Sequence, residues 1–195
     1  ILASAVPGIF SAGADLAELG TLPNDPPARG AFRRTMAEGI EAIAALPMPA
    51  IAAVDGGCYG AAVALAIACD LRVAGDGAVF ATTPARLGIG YPGSDVARLI
   101  ARIGQGQAAR MLLSADPICA DEAHRIGLAE LRAPDAGAAA RALAGRIAAL
   151  APGAVAQLKR TIADPLSPRV APDFEAAFGA AEFAERLAAF RERAR

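Results

Sequence analysis

The sequence has no tryptophan, two tyrosines, three cysteines and a single histidine among its 195 residues. His124 sits in a helical pattern beside Glu122 and Arg125 and reads as a solvated surface residue, so a His-dependent nucleophilic triad has nothing to build on. Cys58, Cys69 and Cys119 are odd in number and lack a CxxC spacing. Neither a disulfide framework nor a zinc site is indicated, no metal is expected, and a reducing cytoplasm fits. A dense basic block is also missing: 19 Lys and Arg face 20 Asp and Glu, for a formal charge of −1. That balance argues against a nucleic-acid face or an anionic membrane surface. No apolar run approaches the ~18 residues of a membrane span, and residues 1–9 lack the charged-then-apolar order of a signal peptide. There is no initiator Met, and the opening ILASAVPGIF reads like a strand end entering a loop, so sequence upstream of it is expected. What is abundant is hydrophobic character, at 55% of residues, enough for one sizeable core and a small-molecule partner.

Hydrophobic spacing predicts the order of elements. Residues 1–5 read as the end of a buried strand, and a Pro-rich loop, TLPNDPPARG, precedes a helix over 31–46. There Phe32, Met36, Ile40 and Ile43 form a core-facing stripe. Strands are expected at 51–54, 71–74 and 78–82, a turn at 56–60, and a short helix at 61–69. Two helices, 96–103 and 105–113, are divided at Gly104, and ADEAHRIGL has the charge polarity of a further helix. Beyond Pro134 the pattern is helical over 137–150, 153–162 and 172–195. The chain is divided accordingly into a core, 1–133, and a helical region, 134–195.

Two Gly/Ala turns, FSAGAD at 10–15 and YGAA at 59–62, each lead into a short apolar helix. Backbone N–H groups at a helix start are unpaired and lie at the positive end of its dipole, so such turns can hold a developing oxyanion. The alternative is that Gly and Ala merely make compact turns. A third reading takes VDGGCYGA as a dinucleotide fingerprint with Asp76 as the ribose acid. The glycine spacing is not GxGxxG, and the following helix is short for a sheet crossover.

Four collinear blocks, FSAGADL, IAAVDGGCYGAAVALAIACDLRVA, FATTPARLGIGYPG and ICADEAHRIGLAE, resemble the enoyl-CoA hydratase/isomerase, or crotonase, superfamily. The resemblance implies an α/β fold, a spiral of ββα turns with a C-terminal helical trimerisation region, in a chain lacking its amino-terminal segment. It implies homotrimers or dimers of trimers, and an acyl-CoA substrate in which coenzyme A is part of the substrate and no other cofactor is needed. It places the thioester oxygen between the backbone N–H groups of Ala14 and Ala61, with Ala12, Asp15, Leu16 and Gly60 around the bound thioester.

A hydratase of this superfamily carries two glutamates, and the matching positions here are Ala64 and Pro84. Without a carboxylate pair to activate water and deliver a proton, hydration is disfavoured. Isomerase- or decarboxylase-type chemistry on a thioester enolate is expected, with a catalytically silent acyl-CoA-binding subunit as the alternative. Thr83 and Tyr91 match two pocket positions of the methylmalonyl-CoA decarboxylase branch, although that branch has His at Ala14 and Glu at Ala64. Their plain readings are a turn residue before Pro84 and a loop aromatic reaching solvent. Asp95 is read as a helix N-cap, or else as a relocated acid at the pocket rim. Asp15 is read as fixing its turn, Asp70 as capping a helix–strand junction and Cys58 as a small buried residue. Arg86, Lys159 and Arg160 are surface charges or partners of the CoA phosphates.

Overall fold

The computed structural model describes residues 1–193. Strand β1 (Ile9–Ser11) is followed by helices α1 (Leu16–Thr21) and α2 (Pro26–Ala44). Strands β2 (Ile51–Val54) and β3 (Gly57–Tyr59) lead to α3 (Ala61–Ala68), and β4 (Leu71–Gly75) and β5 (Val79–Ala81) lead through a 3-10 turn, Pro84–Leu87, to α4 (Gly93–Ser114). Then come β6 (Ile118–Cys119), α5 (Ala120–Arg125), β7 (Leu131–Ala133), α6 (Ala136–Ala148), α7 (Pro152–Ala163), α8 (Val170–Ala177) and α9 (Ala181–Arg193).

From β1 to β5, successive strands alternate between two sheets. One has the order β2-β4-β7, all parallel; the other runs β1-β3-β5-β6, parallel except for the β5–β6 pair. The turns β2-β3-α3 and β4-β5-α4 each place one strand in each sheet before a helix returns, which is the expected α/β spiral of ββα turns. The corner between β2 and β3 is made by Gly56 at φ 78°, where an added Cβ would overlap the Gly8 carbonyl oxygen. Only glycine permits that approach.

Residue type explains what lies inside. All four residues of β2 are buried, as an unbroken apolar run in a parallel sheet requires. Helix α3 is apolar all round, and Ala62, Val63, Ala64, Ala66, Ile67 and Ala68 are buried, which makes it a central helix and not a surface one. Its small side chains let the neighbouring layers approach, while Val63 and Ile67 each contribute about 1.5–3 kcal/mol of apolar burial. Arg72 on β4 is fully buried, and it is satisfied. Its Nε donates to the Leu128 carbonyl at 2.7 Å, its Nη1 to the Cys69 carbonyl at 2.8 Å, and its Nη2 pairs with Glu130. Glu130 also accepts the Arg72 backbone N–H at 2.7 Å, so one ion pair ties β4 to the segment before β7.

Several boundaries differ from the sequence reading. Of residues 1–5 only Leu2 pairs, as a single parallel bridge to Ala52. Helix α2 starts inside the supposed Pro-rich loop: the Asp25 side chain accepts from Ala28 N, and Pro26 and Pro27 occupy the first helical positions, where a missing N–H costs nothing. The turn expected at 56–60 contains β3, because Gly57, Cys58 and Tyr59 pair with Val79, Phe80 and Ala81. The break at Gly104 is present as a kink at φ 76°, ψ 160° inside α4. The long helix expected over 172–195 is interrupted between α8 and α9, and its last two residues lie outside the described ones.

Two compact units are formed. The first comprises Ile1–Leu46 with Ala50–Ala144, the second Pro47–Pro49 with Gly145–Arg195. The division falls within α6, later than the 133/134 boundary read from the sequence, because Ala136 and Ala140 are fully buried. In the second unit Lys159 donates to the Met48 carbonyl at 3.0 Å and Arg160 pairs with Asp173 at 3.2 Å.

Candidate active site

The two Gly/Ala turns meet. A Cβ added to Gly13, at φ 96°, would lie 2.6 Å from the Tyr59 carbonyl oxygen and 3.3 Å from the Ala61 nitrogen. The first turn is thus pressed directly on the start of α3, and Ala14 and Ala61 both line one cavity of about 100 Å³. Among the described residues neither N–H donates to a protein acceptor. Turn geometry is set locally: Ser11 Oγ accepts the Gly13 N–H at 3.1 Å, and Asp15 Oδ1 accepts the Ala17 N–H at 2.7 Å to cap α1.

The rest of the cavity is largely apolar. Ala12, Leu16 and Gly60 line it, with Leu19 from α1 and Phe32 and Met36 from α2. Asp15, expected beside the bound thioester, has its side chain engaged in the α1 cap. Phe32 and Met36 were read as the upper part of a core stripe; only Ile40 of that stripe is fully buried, at 2% exposure. Nothing in the helical periodicity distinguishes a residue facing a cavity from one facing the core.

Thr83, Pro84 and Tyr91 complete the opposite wall. Thr83 Oγ1 lies against Gly60, 3.1 Å from where a Cβ would stand. The adjacent Thr82 is structural: fully buried, it donates to the Met111 carbonyl at 2.6 Å. Tyr91 is half-buried, with its hydroxyl turned to the protein and not to solvent. Its hydroxyl donates to the Gly60 carbonyl at 2.9 Å, and its ring packs with Ile40, Ala64 and Ala68. Burial raises the Tyr91 pKa well above the ordinary phenol value, the charge of Asp95 adds to this, and the Ala64 backbone pulls weakly the other way.

Asp95 also faces the cavity, and it is 3% exposed. It is not the helix cap. Pro92 holds that position, and the Asp95 N–H donates to the Pro92 carbonyl at 3.0 Å. Burial raises the carboxyl pKa; Arg98 opposes the shift and Glu41 reinforces it. Arg98 approaches Asp95 at 3.5 Å but gives its other nitrogen to Glu41 at 2.7 Å.

The profile of the enoyl-CoA hydratase/isomerase family matches residues 1–188. The chain belongs to this family. It is 39% identical over 128 residues to mouse mitochondrial methylglutaconyl-CoA hydratase, covering 66% of this chain and 40% of the relative. It is 37% identical over 158 residues to a Mycobacterium bovis protein named probable enoyl-CoA hydratase EchA17, covering 80% and 60%. The matched stretch thus spans about half the length of these curated relatives. Among solved structures, an enoyl-CoA hydratase/isomerase family protein from Hyphomonas neptunium superposes with a TM-score of 0.91 at 36% identity, covering 95% of this chain and 74% of that one. An enoyl-CoA hydratase from Bacillus anthracis gives 0.90 at 30% identity, covering 98% and 77%.

Within the enoyl-CoA hydratase/isomerase family the two glutamate positions are of interest. Ala64 is buried in the cluster against which Tyr91 packs, and Pro84 lines the cavity; neither side chain carries a proton to give. The other side chains weighed in the sequence lie elsewhere or are inert. Arg86 donates to the Ala115 carbonyl at 2.7 Å, Asp70 accepts the Ala50 N–H at 2.7 Å, and Asp76 pairs with Arg132 at 3.1 Å. His124 Nδ1 lies 3.1 Å from the Ala129 carbonyl. Cys58 is fully buried, and burial raises its thiol pKa far above the ordinary value. Among the described residues no group of three or more metal-binding side chains occurs, and no helix is long and apolar enough to cross a membrane.

Proposed function

We propose that this chain acts on an acyl-CoA thioester, holding the thioester oxygen between the N–H groups of Ala14 and Ala61 and stabilising the enolate formed at the α-carbon. The observation that carries this reading is the abutment of the two turns, with Gly13 against Tyr59 and Ala61. Two fixed donors at a developing oxyanion are worth roughly 3–4 kcal/mol each. The apolar wall of Leu16, Leu19, Phe32 and Met36 suits an acyl chain. Coenzyme A enters as part of the substrate.

With Ala64 and Pro84 at the glutamate positions, isomerase- or decarboxylase-type chemistry is preferred to hydration. Decarboxylation of a malonyl-type thioester is the second reading, favoured by Thr83 and Tyr91 sharing the cavity. That reaction yields an enolate directly and needs no strong base. A silent acyl-CoA-binding subunit is the third. Assembly of the chain into homotrimers, or dimers of trimers, is supported by the apolar surface of the helical unit, where Leu158, Phe174 and Phe178 are each more than half exposed.

A panel of 2-enoyl, 3-enoyl and methylmalonyl thioesters, followed by mass spectrometry, tests the proposal. Double-bond migration or loss of CO2 without a water adduct is expected. Binding without conversion of any substrate selects the silent subunit, and no binding overturns the reading.

A further inference from the structure

Once the family's glutamate positions are aprotic, the cavity still needs a group that can take a proton from carbon and return it. Asp95 is the single carboxylic acid among its described lining residues. The two other protic side chains are poorly suited. The Tyr91 proton is committed to the Gly60 carbonyl at 2.9 Å, and removing it would place a buried phenolate next to Asp95. The Thr83 hydroxyl is too weak an acid and its alkoxide too costly to form. Asp95, by contrast, is held by one long contact, to Arg98 at 3.5 Å, while Arg98 is anchored on Glu41 at 2.7 Å. Its carboxyl therefore keeps acceptor capacity toward the cavity, from the first turn of α4.

We propose that Asp95 is the catalytic acid–base residue of this cavity, moving a single proton between the α- and γ-carbons of an unsaturated acyl thioester; this rests on the enolate reading above. On a 3-enoyl thioester the Asp95 carboxylate takes a proton from C2. The C–H electron pair forms the C1=C2 bond of a dienolate, whose negative oxygen lies at the Ala14 and Ala61 N–H groups. The protonated carboxyl then returns that proton to C4, the C3=C4 pair forms the new C4–H bond, and the C2=C3 double bond and the carbonyl are made. No water, oxidant or other reactant is consumed, and Asp95 ends ionised as it began. Burial in an apolar cavity with Glu41 nearby makes the carboxylate more basic than in water, and Arg98 limits the effect. That suits a group which must accept a proton from carbon.

The test is exchange of substrate C–H for deuterium in D2O, with a 3-enoyl thioester and its saturated analogue, read by mass spectrometry beside calorimetric binding. Wild-type protein is expected to exchange the α-position, and Asp95→Asn to lose at least about 100-fold of the rate while binding the saturated thioester as before. The wild-type rate should rise with pH through a transition above the ordinary carboxylate value of about 4, and this needs no variant to fold. Of the charged and titratable groups facing Asp95, Tyr91 is displaced far upward and Arg98 and Glu41 form an ion pair. Equal exchange by Asp95→Asn and wild type overturns the role of Asp95 but leaves the enolate reading standing. Absence of both binding and exchange in the wild type overturns both.

Discussion

Two neighbouring threonines and one buried acid show how position decides role. Thr82 and Thr83 are chemically identical, yet one is bonded to the Met111 carbonyl inside the core and the other faces the cavity. Thr82→Val should cost about 1 kcal/mol and lower the melting temperature by about 2–4 °C, whereas Thr83→Val should leave melting unchanged and alter only thioester turnover. Glu130→Ala strips a fully buried guanidinium of its counter-charge and should cost about 3–5 kcal/mol in chemical denaturation. Asp95 acts in the opposite sense. Its folded-state pKa is raised, so its favourable contribution is fully present below the unfolded carboxylate pKa and is lost as pH rises through the higher folded value. Asp95→Asn should therefore melt at a higher temperature than wild type at pH 8, and the difference should shrink toward pH 4. A variant more stable and less active is what a functional, buried carboxylate predicts.

Elements place these side chains, and the tightest constraint is the contact of the first turn with the start of α3. Gly13→Ala would drive a Cβ to 2.6 Å from the Tyr59 carbonyl oxygen at a φ of 96°, so the two turns must separate. Thioester turnover should fall by about two orders of magnitude or more, in line with loss of an oxyanion donor, and urea denaturation should show a clear loss of stability. Much of this arrangement was legible in the sequence. IAAV, the apolar α3 and the break at Gly104 declare themselves through composition and spacing, and the two turns through their small residues. What was not legible depends on distant partners. β3 is a strand only because Val79–Ala81 lies beside it, β6 and β7 are too short to carry a pattern, and Pro26–Pro27 suggested a loop until Asp25 supplied a cap. In the site, Asp95 looked like a cap because it stands near a helix start, but Pro92 holds the cap three residues earlier and leaves Asp95 in the first turn, facing the cavity. Phe32 and Met36 carried no sign that their helix borders a cavity.

At the scale of the whole molecule, the chain forms two compact units. The first contains the spiral and the cavity; the second, α7 to α9, carries a groove of about 850 Å³ lined by Leu158, Phe174, Phe178 and Phe183. Exposed Leu158, Phe174 and Phe178 give this unit apolar side chains that contact with further copies would cover. Light scattering behind size exclusion should return three or six copies, and Phe174→Asp with Phe178→Asp should shift the mass toward one. The central claim, that the Ala14 and Ala61 amides grip one thioester carbonyl, is tested most directly by vibrational spectroscopy of a carbonyl-13C acyl-CoA bound to the protein. The account predicts that the C=O stretch moves to lower frequency on binding to wild type and returns toward its free position in Gly13→Ala that still binds. A bound thioester whose carbonyl frequency equals that in water would contradict it.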